Sequence, residues 1–310
     1  IDGNPSIELL PPYTLSLKPE SLDGSTQADK EASFDQRLSQ EARYCFNLNS
    51  ERLLRIRLFE VAPQDYRLTL NVHHIISDGW SLGLIVKELS HAYSQLSGAK
   101  GIELPPLSIQ YGDYAHWLRN EAQNQENQQG LSFWLDNLKG SVPLELPADY
   151  PRRAGGKFKS LSAEICLDEE MTSQLNRVAS TNNASLFMVL LAGLNLLMAR
   201  LTGQHDFCIG APVANRPNQD CEQLIGMFMN TVVFRMQVGG DENFITQLQR
   251  VKQTTLDAYA HQDVPFERIV DGLGIERDTT RTPIFQIFVN MLNFPFHDLE
   301  MAGVGIEVCE

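Results

Sequence analysis

The residues best suited to chemistry lie in one short stretch, His73-His74-Ile75-Ile76-Ser77-Asp78-Gly79. Two histidines close an apolar run, and an aspartate and a glycine follow them. A neutral imidazole takes a proton from an attacking amine or holds that amine in place. A nearby carboxylate orients such a ring or pairs with an arginine, and a glycine lets a backbone N–H approach a reacting carbonyl. The stretch therefore indicates general-base or positioning catalysis.

Three other interpretations of this motif are open. The histidines can be core residues beside a turn aspartate, because short motifs carry a real risk of false matches. A metal site is disfavoured, since adjacent strand residues such as His73 and His74 point to opposite faces and no third ligand lies at a useful spacing. Hydrolysis is disfavoured because the chain has no G-x-S-x-G elbow and nothing marks Ser77 as activated.

A strand is predicted to carry the histidines, and a helix to follow the aspartate. The residues 67–74 alternate, so that His74 shares the apolar face with Leu68, where desolvation would keep its imidazole neutral. Asp78 and Gly79 predict a turn. The helix that follows has one apolar stripe, formed by Leu82, Ile85, Val86, Leu89 and Tyr93.

The rest of the chain predicts alternating helices and strands. Helices are expected at about 109–122, 129–138, from 169 onward, at 186–202 with Ser185 as cap, over some 20 residues to His261, and after Pro265. Strands are expected near 158–167, 206–213, 231–238 and 284–292. The segment Leu144 to Gly156 is rich in proline, glycine and arginine and predicts a linker between two lobes. This order indicates a two-lobed α/β protein.

Composition excludes several classes of function. Of the 310 residues, 43% are hydrophobic and 21% charged, an ordinary globular balance. The net charge of −14 argues against a nucleic-acid partner. The longest uncharged apolar stretch, 186–199, is shorter than the ~20 residues of a membrane span. The five cysteines fit neither a disulfide framework nor a zinc pattern, which favours a cytoplasmic location.

Six segments resemble, in the right order, the motifs of condensation domains from non-ribosomal peptide synthetases. The segments are NVHHIISDGWS (71–81), YGDYAHWLR (111–119), LPADYPRR (146–153), IGMFMNTVVFR (225–235), HQDVPFERIVD (261–271) and ERDTTRTPIFQ (276–286). Together they extend over most of the chain. The resemblance identifies the chain as a member of this family, whose domains join two carrier-bound amino acids by an amide bond.

The resemblance implies a two-lobed fold similar to chloramphenicol acetyltransferase, with a tunnel between the lobes. The N-terminal lobe would be 1–145, the linker 146–156 and the C-terminal lobe 157–310. No cofactor would bind directly. The substrates would be thioesters on the phosphopantetheine arms of upstream and downstream peptidyl carrier domains, with an adenylation domain adjacent. Both lobes are expected to be incomplete, with the arginine that pairs with Asp78 lying before Ile1.

The resemblance also implies roles for individual residues. His74 would be the catalytic histidine and His73 would support the motif. Asp78 would be mainly structural, and Gly79 would lie beside the reacting thioester. Substrate-binding positions in the tunnel would be Ser81, Met229 and Asn230. The corner at 261–266, where aspartate follows glutamine, resembles members that take an L-configured donor.

Alternative functions remain within and outside the family. A related acyltransferase of the same fold would use a soluble acceptor, which the motif histidines alone would allow. An epimerase would carry Ser-Trp-Arg where this chain has Gly79-Trp80-Ser81. A non-catalytic docking domain would tend to lose a motif histidine, whereas both His73 and His74 are present.

Overall fold

The protein consists of two compact units, Ile1–Ser77 and Asp78–Glu310, each described here by itself. The structure is a computed structural model. It describes residues 10–98, 101–121, 125–150, 160–275, 278, 280–292, 301 and 303–306. Both units contain helices and strands, which confirms the predicted α/β class.

The first unit is a small sheet with one helix. β1 (Glu20–Ser21) pairs in parallel with β2 (Leu54–Ala62), which forms an antiparallel hairpin with β3 (Asp65–Val72). The helix α1 (Gln27–Ala42) begins with a capping box that involves Thr26. A small apolar core consists of Leu22, Phe34, Phe59 and Val61.

One face of β3 lies against α1, and it is not the face that the apolar pattern predicted. Arg67 covers the Phe34 ring at 4.9 Å, and Asn71 donates to the Glu41 carbonyl. Thr69 on the same face is buried, whereas Leu68 is 43% exposed. The polar face is buried because its side chains form specific contacts with the helix.

The second unit is mostly helical. Its helices are α2 (Gly79–Ser97), α3 (Tyr111–Glu121), α4 (Gln125–Leu138), α5 (Glu169–Thr181), α6 (Leu186–Thr202), α7 (Phe244–Ala260) and α8 (Phe266–Leu273), with a 3-10 helix at Gln219–Gln223. They confirm the predicted helices to within a few residues. Ser185 caps α6 as predicted, since its hydroxyl accepts from the Met188 amide at 3.2 Å. Within the described residues no single helix is long and apolar enough to cross a membrane, and α5 and α6 pass only as a pair bent by 101°.

A two-stranded hairpin forms the centre of this unit. β4 (Asp206–Val213) and β5 (Asn230–Gln237) confirm the predicted strands 206–213 and 231–238, and they are antiparallel and paired along their whole length. The predicted strand at 284–292 reduces to a single parallel bridge between Gly210 and Phe288. Gly210 is required here, because a Cβ would lie 2.5 Å from the Phe285 ring.

Two sequence predictions for residues 146–167 have different outcomes. The predicted strand at 158–167 is wrong for 160–167, which carries no strand, while 158 and 159 lie outside the described residues. The linker predicted at 146–156 is irregular over 146–150, and its remainder also lies outside the described residues.

Candidate active site

His73 is held in a fixed orientation directly after β3. Its backbone N–H donates to the Leu53 carbonyl at 2.9 Å, which continues the hairpin pairing. Its ring nitrogen Nδ1 accepts from the Ile75 amide at 3.0 Å, and the ring packs edge-on against Phe46. Because Nδ1 is the acceptor, Nε2 carries the proton of the neutral ring. His73 therefore shapes the turn that presents its neighbour.

His74 is exposed, which corrects the expectation that it lies desolvated on an apolar strand face. The strand ends at Val72, two residues earlier than predicted, and a turn begins at His74. The turn is closed by the Ile76 amide, which donates to the His73 carbonyl at 3.1 Å. Two-residue alternation applies only within a strand, so it does not fix the direction of this side chain. The imidazole is accessible to a substrate.

Asp78 begins the second unit as the N-cap of α2. Its Oδ1 accepts from the Ser81 amide at 2.8 Å and from the Ser81 hydroxyl at 2.7 Å. A carboxylate in this place satisfies the free N–H groups of the first turn and interacts favourably with the helix dipole. Asp78 is only 4% exposed, so its charge requires a partner.

Arg216 is that partner. Its Nη2 lies 3.1 Å from Asp78 Oδ1 and also donates to the Ser81 hydroxyl, while Nη1 donates to the carbonyls of Cys221 and Leu224. The expectation that the pairing arginine precedes Ile1 is therefore wrong. Burial lowers the pKa of Arg216, and the adjacent Asp78 charge opposes that effect. The guanidinium stays charged, because its ordinary pKa is far above neutrality.

The backbone from 226 to 228 is fixed to the same network. The Ser81 hydroxyl accepts from the Gly226 amide at 3.1 Å, and its single proton is shared between Asp78 Oδ1, at 2.7 Å, and the Gly226 carbonyl, at 2.9 Å. The Phe228 amide donates to Asp78 Oδ2 at 3.1 Å. From α3, the Tyr111 hydroxyl donates to the Met227 carbonyl at 2.8 Å. Side chains from α2, its N-cap residue and α3 thus contact four backbone groups in three consecutive residues.

The Tyr111 ring explains why residue 226 is glycine. A Cβ at this position would lie 2.1 Å from Cδ2 of that ring. Tyr111 and Tyr114 pack against Phe228, with ring centroids at 5.2 Å and 4.4 Å. The same Phe228 ring lies 4.1 Å from the Arg216 guanidinium carbon, a favourable cation–π geometry. The Phe228 ring therefore covers the guanidinium of the ion pair, and the two tyrosine rings support it from α3.

The other predicted site residues differ in how far they are buried. Ser81 is fully buried and its hydroxyl is committed to Asp78, Arg216 and Gly226, so it presents no free group to a tunnel. Gly79 is the first residue of α2 and Met229 is half-buried. Asn230 is 9% exposed and begins β5.

The structure brings together one group of the predicted residues. Asp78, Ser81 and the stretch 226–230 form a single network in the second unit, whereas His73 and His74 belong to the first unit. Among the residues that the structure describes, no cluster of three or more His, Cys, Asp or Glu side chains is placed to hold a metal ion.

Sequence reasoning missed Arg216, Tyr111 as a hydrogen-bond donor, and the requirement for Gly226. Arg216 carried no local signal, because its partner is 138 positions away. Gly226 and Tyr111 both lie within segments that resemble family motifs. A glycine in such a motif indicates close packing against another side chain, and this is the signal by which the pair could have been found.

Comparisons with known proteins identify the class. The family model described as "Condensation domain" matches residues 12–304. The chain is 38% identical over 263 residues to tyrocidine synthase 3 of Brevibacillus parabrevis, covering 84% of this chain and 4% of that protein. It is 34% identical over 311 aligned positions to malpinin synthetase of Mortierella alpina, covering 100% of this chain and 4% of that protein. This chain belongs to the condensation domain family of non-ribosomal peptide synthetases.

Solved structures agree with this family. A holo four-domain nonribosomal peptide synthetase superimposes with a TM-score of 0.79 at 25% identity, covering 91% of this chain and 21% of that one. The X-domain in its complex with OxyB from teicoplanin biosynthesis gives 0.78 at 25% identity, covering 89% and 60%. The chain thus has the condensation-domain fold, and the relatives do not favour the soluble-acceptor alternative. It spans only a small part of the length of the two synthetases it matches, 4% of each.

Proposed function

We propose that this domain catalyses amide bond formation between two carrier-bound substrates, with His74 as the group that meets the attacking amine. One observation carries the proposal: His74 is the motif side chain left available. The His73 ring accepts a backbone hydrogen bond, and the Asp78 carboxylate is buried in its ion pair. His74 is exposed at the beginning of the turn between them.

The chemistry requires little more than a positioned amine. The amine of an aminoacyl acceptor attacks the carbonyl carbon of the donor thioester, so a C–N bond forms and the C–S bond breaks. A neutral imidazole at His74 accepts the proton released by the amine or holds the amine by a hydrogen bond. The sulfur leaves as the thiol of the donor carrier's phosphopantetheine arm, and the proton returns to it. Alignment of the two reactants supplies much of the rate.

The same proposal includes the carrier domains as partners and the division of the domain into two lobes. The donor and acceptor arrive on upstream and downstream peptidyl carrier domains, next to an adenylation domain, and enter a tunnel between lobes 1–145 and 157–310 that are joined by 146–156. The support is the family membership and the four-domain synthetase with the same fold. The cytoplasmic location expected from the cysteines stays a prediction.

The test supplies both loaded carriers to the full-length protein and follows amide product on the acceptor carrier by mass spectrometry. His74→Ala should abolish product while the melting temperature stays within a few degrees, because the side chain is exposed. His116→Ala, at an exposed histidine of α3, is the matched control and should retain full activity. Near-wild-type condensation by His74→Ala would refute the assignment.

A docking role is the second candidate, because the X-domain of similar fold forms a complex with OxyB. A docking domain would form no amide product from loaded carriers, and His74→Ala would then change nothing measurable. The exposed His74 directly after the oriented His73 favours the catalytic role, since a docking surface gives no reason for this arrangement.

A further inference from the structure

Asn230 makes three hydrogen bonds to one short backbone segment. Its Nδ2 donates to the carbonyls of Gln262 and Val264, at 2.7 Å and 2.8 Å. Its Oδ1 accepts from the Phe266 amide at 3.1 Å. Both donors of the amide are therefore used, and only one acceptor site remains. A side chain that is buried and bonded in this way has no N–H to offer a substrate.

The bond to Phe266 replaces a missing helix cap. Phe266 is the first residue of α8, and the preceding residue, Pro265, has no side chain that could cap the helix. The first N–H groups of a helix have no partner within it. Asn230 thus caps α8 from another element of the fold, a role that the sequence around α8 does not reveal.

The same corner, residues 261–266, is held from its other side by α4. The Trp134 indole donates to the His261 carbonyl at 2.9 Å, and the Phe133 ring lies 4.0 Å from the His261 ring. Gly130 allows close packing, because a Cβ there would lie 2.8 Å from a Val264 methyl group. The corner is therefore fixed between α4 and Asn230.

The backbone on the other side of Asn230 is fixed to the aspartate network. Phe228, two residues earlier, donates its amide to Asp78, and Gly226 is bonded to Ser81. The stretch 226–230 therefore connects the beginning of α2 to the corner 261–266 through side-chain hydrogen bonds at both ends.

We propose that Asn230 is a positioning residue, which fixes the corner 261–266 relative to the Asp78 network, and that it is not a substrate contact. The inference rests on the proposed function for the reaction that it affects. Displacement of the corner moves the stretch 226–230 and with it the start of α2, where Gly79 follows Asp78. Misplacement by about 1 Å is enough to lower a rate roughly a hundredfold.

Two variants in the full-length protein separate positioning from substrate contact. Asn230→Ala removes all three bonds. Asn230→Asp is nearly isosteric and keeps Oδ1, but places an oxygen against two carbonyl oxygens. Positioning requires both variants to lower the rate of amide formation at saturating loaded carriers by about tenfold or more, with the apparent KM for the donor carrier little changed. Asn243→Ala is the matched control, because Asn243 is an exposed asparagine that caps α7.

Hydrogen exchange at the Phe266 amide supplies a readout that does not depend on activity. Asn230→Ala should expose this amide to faster exchange, while Asn243→Ala should leave it protected. Asn230→Asp retains the acceptor Oδ1 for the Phe266 amide, so its effect should appear in the rate through the lost Nδ2 bonds. Asn230→Ser is a milder variant for use if Asn230→Ala unfolds. It should lower the rate and speed exchange at Phe266 to a smaller extent than Asn230→Ala.

Three results would overturn the proposal. A normal rate for Asn230→Asp would show that the two Nδ2 bonds do not position the corner. Faster exchange at Phe266 in Asn230→Ala with an unchanged rate would reduce Asn230 to a structural role. Unchanged exchange in Asn230→Ala would contradict the contacts themselves. An inactive wild-type protein would count against the proposed function instead, and exchange would then decide the contacts alone.

Discussion

Arg216 and Asp78 form a buried ion pair, with Nη2 and Oδ1 at 3.1 Å and each side chain only 3% exposed. The two residues are 138 positions apart in the chain. Because Asp78 also caps α2, the pair ties the first turn of that helix to the segment that follows β4. The motif aspartate is thus held in an ion pair and a helix cap, which agrees with the proposed role of His74 as the group that meets the amine.

Asp78→Ala should destabilise the second unit by roughly 3–5 kcal/mol, because it leaves the Arg216 charge buried without its partner. Arg216→Ala should cost a similar amount. The double variant should cost less than the sum of the two, since neither charge is then left alone. Denaturant unfolding of the three variants measures these values. Wild-type stability of Asp78→Ala combined with a large loss of rate would instead make Asp78 a direct participant in the reaction.

Gly226→Ala should destabilise the protein by about 1–3 kcal/mol, because the new methyl group overlaps the Tyr111 ring. Gly112→Ala is the matched control. Gly112 lies in α3, where a Cβ would meet nothing within 4 Å, so alanine should stabilise the helix by up to about 1 kcal/mol. Melting temperatures of the two variants should therefore shift in opposite directions. An unchanged or raised melting temperature for Gly226→Ala would show that the ring moves aside at little cost.

An L-configured donor should be preferred over its D-configured form. The reason is the resemblance of the corner to L-specific members, in which Asp263 follows Gln262; the structure exposes that Asp263 side chain. A tunnel wall shaped for the L-configured donor would displace the thioester carbon of the D-configured donor. A competition between L- and D-aminoacyl donors on the same carrier, analysed by mass spectrometry, measures the preference. Preferential use of the D-donor would overturn this subtype and leave the family membership intact.

Local sequence patterns predicted the helices and the central hairpin well. The apolar run of α6 lies between a capping serine, Ser185, and Gly203, which adopts the left-handed conformation at φ 71°. The predicted strands 206–213 and 231–238 likewise agree with β4 and β5 to within one residue. Such signals are encoded within a few residues, so one sequence is enough to detect them.

Long-range pairing was not predictable in the same way. The partner of Asp78 depends on which arginine the fold brings close, and nothing near Arg216 signals this. The end of β3 was misjudged because His73 and His74 continue its alternation while their backbone forms a turn. Asn230 was placed in the tunnel by resemblance alone, and its three contacts to the corner are visible only once the fold is known.

A second ion-pair network makes the first unit sensitive to acid. The Glu41 carboxylate accepts from Arg55 Nε and Nη2, both at 3.0 Å, and from Arg57 Nη1 at 2.8 Å. Hydrogen bonding by Arg55 is the main cause that lowers the pKa of Glu41 below its ordinary value of 4.5, and burial partly opposes it. A lowered pKa in the folded state contributes stability above pH 4.5, which is lost as the pH falls through that lowered value.

Glu41→Gln should therefore lower the stability of the first unit at pH 7 by about 2 kcal/mol, because the hydrogen bonds lose their charge. It should also weaken the decline in stability between about pH 5 and 3, so that the two proteins converge in acid. Glu20, whose pKa Arg57 lowers by a hydrogen bond, should leave some acid sensitivity in the variant. Exchange protection of the β2 and β3 amides across this range reports on the first unit itself. Parallel pH curves for wild type and Glu41→Gln would show that the network does not titrate on unfolding.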